Sequence, residues 1–150
     1  CRLEELAGFA PRLLARMAPA VVVVSAGTND IHDGVEPEAV VDAFRRLVET
    51  LLRDRPRTAV VYLGILPAPS RWSERERQVR ANDLVRAAVE DLAATGARVA
   101  YLDAGAAFLS PAGLPDPEAF LDDDLHPGAL GNARRAALLR PLLERLLDPA

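Results

Sequence analysis

The chain has 150 residues, half of them hydrophobic, and a formal net charge of −4. That suits one globular domain, residues 1–150, with a sizeable core. No basic cluster is interleaved with aromatic residues, which argues against nucleic acid as a partner. No apolar run approaches the roughly 18–20 residues needed to span a bilayer. The basic residues are all arginine or histidine, so a Schiff-base lysine is excluded, and the single cysteine, Cys1, rules out an internal disulfide or a thiolate metal cluster.

"CRLEELAGFA" opens the chain without the charged and apolar regions of a signal peptide. Its first residue is Cys and not Met, so an N-terminus further upstream is expected. Residues 3–17 carry apolar side chains at helical spacing, interrupted by Pro11, which predicts a helix kinked or split there. "VVVVSAGTND", residues 21–30, follows. Four valines in a row predict a strand over 20–26 that is apolar on both faces. The small and polar residues after them predict a loop. In open α/β sheets such loops, outside the carboxyl ends of parallel strands, are where ligands bind.

Glu36-Pro37-Glu38 opens the next predicted helix, to about residue 54: proline suits its first turn and acids its positive end. Residues 58–66 predict a second buried strand and 67–72, "PAPSRW", a loop. Ser73 is placed as an N-cap, with Glu76 at the capping-box position. The long helix that follows stops near Gly96. Residues 98–104 predict a third strand, and a proline-rich irregular stretch comes next. A last helix begins just past His126-Pro127-Gly128 and runs to about Leu147. Strands alternating with helices imply right-handed crossovers and a parallel sheet covered on both faces.

There are two histidines, His32 and His126. His126 lies in "LDDDLHPGALG", three residues after Asp123. A carboxylate beside an imidazole can accept its Nδ1–H and leave Nε2 as a general base. The spacing alone equally suits a solvated acidic loop. Asn29, at a strand end, can donate an amide N–H to a developing oxyanion. Asn29 and Asp30 also suit a turn that satisfies its own backbone. Asp122, Asp123 and Asp124 are consecutive and point in different directions, so no metal site is expected. Arg71 and Trp72 suit either a pocket border or a packed loop anchor, and Asn82 suits a loop brace.

Taken together, the two segments resemble the SGNH hydrolases, also called GDSL-type lipases and esterases. Gly27-Thr28-Asn29-Asp30 matches that family's third block, and Asp123-Asp124-Leu125-His126-Pro127 its fifth. "PAPSRW" followed by "VRANDLVRAA" resembles the bacterial branch akin to platelet-activating-factor acetylhydrolase subunits. The resemblance implies a flavodoxin-like three-layer α/β/α fold with a parallel sheet. It implies hydrolysis of a small-molecule ester through an acyl-enzyme, without metal or cofactor. Asn29 would be the oxyanion donor, His126 the base and Asp123 its orienting acid. Gly27, Thr28 and Asp30 would border the substrate.

The family's nucleophile is a serine in a G-D-S block after its first strand, and no such block is present among these 150 residues. The four serines are Ser25, Ser70, Ser73 and Ser110. Ser25 is expected to pack inside its strand, and Ser70 and Ser73 to cap. None, and not Cys1 either, is expected to act as a nucleophile. The chain is therefore expected to be the C-terminal part of an esterase, lacking the N-terminal strands and inactive by itself. The alternatives are a non-catalytic relative that binds without cleaving, or a flavodoxin-like small-molecule binder, although no P-loop or G-x-G-x-x-G is present. Strand 20–26 would then expose an unprotected edge, through which the chain is expected to self-associate.

Overall fold

The computed structural model describes residues 1–147. It contains helices α1 (Leu3–Leu13), α2 (Thr28–His32), α3 (Pro37–Asp54), α4 (Arg75–Ala94) and α5 (Ala129–Leu147). Three strands, β1 (Val21–Ser25), β2 (Ala59–Leu63) and β3 (Val99–Leu102), form one parallel sheet in the order β1-β2-β3. Val21 pairs with Ala59 and Ser25 with Leu63; Val60 pairs with Val99 and Leu63 with Leu102. Among the described residues the predicted strands are therefore in place, trimmed by one to three residues at their ends. This is a parallel α/β arrangement, as the alternation of strands and helices predicts.

Side chains alternate along a strand, so each strand divides between two faces. Val22 and Val24, Val60 and Tyr62, and Val99 and Tyr101 point into one core with α1, α3 and α4. A second, smaller core gathers Ala68, Ala104, Phe108, Ala119 and Phe120 beneath the irregular segments that precede α5. The central strand β2 is buried at every position, as a strand covered on both faces must be.

Three local expectations need correction. Residues 28–32 are a short helix and not a loop. Ser73 caps nothing: it lies inside a 3-10 turn, Pro69–Glu74, which runs directly into α4 with Glu74 at the N-cap position. The first helix is not split at Pro11; it continues through it and ends at Leu13. Proline that close to a helix end leaves little helix after it to disrupt.

Two buried groups connect this frame to the strand ends. Tyr62, fully buried between Phe44 and Tyr101, donates its hydroxyl to the Ala26 carbonyl at 2.7 Å. Burial pushes its phenol pKa upward, so the group stays a neutral donor. Asn82 on α4 accepts from Ile65 N–H at 2.8 Å and donates to the Ile65 carbonyl at 3.0 Å. That bidentate clamp is the loop brace expected of Asn82, and it fixes the chain leaving β2.

Candidate active site

Gly27 turns the chain from β1 into α2 with φ of +109°. A Cβ there would lie 2.8 Å from the Tyr62 hydroxyl and about as close to Ile65, so the backbone angle and the packing both require glycine. The turn presents Thr28 and Asn29 to a cleft of about 260 Å³ at the carboxyl ends of the strands. Leu125, His126 and Pro127 line the same cleft, as do Leu66 and Ala68. Asn29 and His126, 97 residues apart in sequence, thus face one space.

The loop before α5 is folded around Asp123. One oxygen, Oδ1, accepts the backbone N–H of both Leu125 and His126 at 2.9 Å. The other, Oδ2, sits 2.6 Å from His126 Nδ1. A carboxylate can only accept here, so Nδ1 carries the hydrogen and Nε2 keeps its lone pair. The backbone N–H of His126, then its ring, then the Leu125 N–H hold the Asp123 carboxyl down at about 2. Asp123 is therefore ionised throughout the range in which an imidazole titrates.

This shift has a measurable sign. Below its usual value of 3.8 and above about 2, the unfolded chain takes up a proton at Asp123 that the folded chain refuses. Its stabilising contribution is present above that window and is lost as pH falls through it. Melting temperature recorded from pH 5 down to pH 2 should fall less steeply in Asp123→Asn than in the parent. Equal slopes would show that the carboxylate is not held as described.

Asp30 does not face the cleft. It is 2% exposed, and its two oxygens accept the Leu3 N–H at 3.1 and 3.2 Å, at the start of α1. Burial pushes its carboxyl pKa upward, partly offset by that N–H. Asp30 therefore ties α1 to α2 and is not among the residues that line the cleft. Ser25 departs from expectation in the other direction. It is exposed and lines the cleft, because among the described residues β1 is hydrogen-bonded to a strand on one side only. Cys1 also reaches the cleft wall. Arg71 and Trp72 do not line it; Leu66 and Ala68 from the same loop do. Glu74, at the end of that loop, sits 2.7 Å from His32 Nδ1, away from the cleft. No group of three or more metal-ligating side chains is present among the described residues.

The profile of the GDSL-like Lipase/Acylhydrolase family matches residues 2–134. The chain belongs to this family. No curated protein matches the sequence. Among solved structures, the domain is similar to a Clostridium thermocellum family 3 carbohydrate esterase, with a TM-score of 0.78 at 18% identity over 97% of this chain and 67% of that one. A family 3 carbohydrate esterase from Talaromyces cellulolyticus gives 0.81 at 20% identity over 100% and 70%. A Streptococcus pneumonia protein, provisionally described as a platelet activating factor, gives 0.80 at 21% over 95% and 68%. At these identities the likeness shows the fold. The GDSL-like domain thus spans about two thirds of the length of these structures.

Proposed function

We propose that this single GDSL-like domain, residues 1–150, supplies the acid–base pair and oxyanion donor of a serine esterase acting on small carboxylic esters. The observation that carries this reading is the Asp123–His126 pair at 2.6 Å, whose histidine lines the same cleft as Asn29. In the reaction, His126 Nε2 takes the proton of an attacking serine hydroxyl as its oxygen adds to the ester carbonyl. Asn29 donates to the oxyanion that forms. The imidazolium, stabilised by Asp123, then gives its proton to the departing alcohol. Water repeats the sequence on the acyl-serine and releases the acid. No metal or cofactor takes part in these steps.

The attacking serine comes from outside these 150 residues. Ser25 alone of the four serines lines the cleft. It sits on the strand itself, paired with Leu63, and no hydrogen bond joins it to His126 among the described residues. A nucleophile needs to be presented at a turn within reach of its base. Incubation with a fluorophosphonate probe, followed by peptide mass spectrometry, should therefore find no stoichiometric label. Labelling of Ser25 would mean that this chain is a self-sufficient esterase.

We infer as well that the 150-residue chain self-associates through β1. Val21–Ser25 pairs with β2 alone among the described residues, Val23 is 40% exposed, and no charge or proline interrupts the strand. Such edges recruit other strands. Light scattering should give a mass above the monomer's 16.1 kDa. A monomer with slow amide exchange throughout Val21–Ser25 would contradict it.

A further inference from the structure

The left-handed backbone of Asp124, with φ of +55°, is the single positive φ outside glycine among the described residues. It lies between the two members of the acid–base pair. That angle is unfavourable for a residue with a Cβ, although Asp tolerates it better than most. It bends the chain so that two successive N–H groups, of Leu125 and His126, converge on one oxygen of Asp123. Inside the loop, Asp124 N–H donates to the Leu121 carbonyl at 2.9 Å and Leu121 N–H to the His126 carbonyl at 2.8 Å.

One further support comes from another segment. Ser70 donates to the Asp124 carbonyl twice, from its backbone N–H at 3.0 Å and from its hydroxyl at 2.8 Å. Ser70 is a firm anchor. Its turn is held at one end by the Asn82 clamp on Ile65 and at the other by Glu74 against His32. The same segment provides Leu66 and Ala68 to the cleft, so the bond joins two segments that line it.

We propose that Ser70 is a positioning residue for the acid–base pair: bonded to the Asp124 carbonyl, it holds the left-handed turn that sets Asp123 against His126. The inference rests on the proposed role of that pair. Without the hydroxyl, Asp124 relaxes toward ordinary negative φ for part of the time. The two N–H groups then diverge, and the imidazole loses the acceptor that fixes its hydrogen on Nδ1.

The test uses the chain as it stands and needs no turnover, so it is independent of whether the ester reaction is confirmed. In isotopically labelled protein at alkaline pH, the ¹⁵N shifts of His126 report the ratio of its Nδ1–H and Nε2–H forms. Ser70→Ala should lower that ratio about fivefold, the equivalent of one ordinary hydrogen bond. The Asp123 carboxyl midpoint, followed by ¹³C shifts, should rise from about 2 toward 3.8. Ser70→Thr, which keeps the hydroxyl, should restore both, and Asp123→Asn marks the full loss of the acceptor. Ser70 is exposed, so its truncation opens no core cavity. Parent-like tautomer ratio and midpoint in Ser70→Ala would overturn the proposal. So would a Ser70→Thr variant that behaves like Ser70→Ala.

Discussion

His126→Ala, made in a longer chain that carries a G-D-S block, is expected to lower kcat by roughly 10⁴–10⁶-fold, the range seen when one member of such a unit is removed. KM should change little. A base that moves the proton in the transition state adds mainly to kcat and little to ground-state binding. Asn29→Ala should cost less, roughly 10²–10³-fold, the usual loss for one oxyanion donor. The order matters as much as the size. The base acts in both halves of the reaction, whereas the oxyanion site usually has a second donor to share the load. Steady-state kinetics on a chromogenic ester would decide. A His126→Ala enzyme within tenfold of its parent would remove His126 from the chemistry. An Asn29→Ala enzyme of unchanged kcat would remove the oxyanion role.

Gly131→Ala is expected to destabilise the fold by about 3 kcal/mol, the upper end for overpacking. Helix propensity alone points the other way, since alanine is favoured over glycine by about 1 kcal/mol. Contact decides. A Cβ on Gly131 would run into the Ala119 carbonyl oxygen and lie 2.6 Å from the Phe108 ring. The carbonyl belongs to backbone and cannot swing aside. Gly131 is also the buried residue of α5 among those described, so the helix has no second deep anchor to compensate. A melting temperature lowered by about 10 °C would agree with this cost. A rise would show that propensity prevails and that α5 docks elsewhere. Because α5 begins three residues after His126, the same substitution in a longer chain that carries a G-D-S block should lower activity along with stability.

The parts of the fold that were legible in the sequence are those with a strong period. The valine run of β1, the apolar runs of β2 and β3, and the long amphipathic helices each gave an unambiguous pattern. Residues 28–32 did not, because five residues are too few to display a helical repeat. Asn29 and His126 were legible as a pair only by resemblance; neither spacing nor composition brings residues 97 positions apart together. Asp30 lies away from the cleft because the turn that brings Asn29 to it buries the next side chain, and one residue of helix is a rotation of about 100°. Ser25 was misplaced because burial of the last strand residue depends on what lies beside the strand, which a one-dimensional pattern does not contain. The bond from Ser70 to Asp124 crosses 54 positions and uses a carbonyl, a group that carries no sequence signal.

The hydrogen bond from Tyr62 to Ala26 has a wider meaning for how this protein can change. The phenol stands in the middle of the sheet, edge-on to Phe44 and stacked on Tyr101, yet its hydroxyl fixes the carbonyl just ahead of the turn that carries Asn29. Under the proposed role of Asn29, selection for ester turnover would constrain the interior as well. A substitution at Phe44 or Tyr101 that tilts the Tyr62 ring by a few degrees moves Ala26, and with it the aim of Asn29. Variants selected for heat resistance through a repacked interior should therefore often show altered kinetics. Conversely, a screen for turnover should return mutations deep in the sheet, far from any atom of substrate.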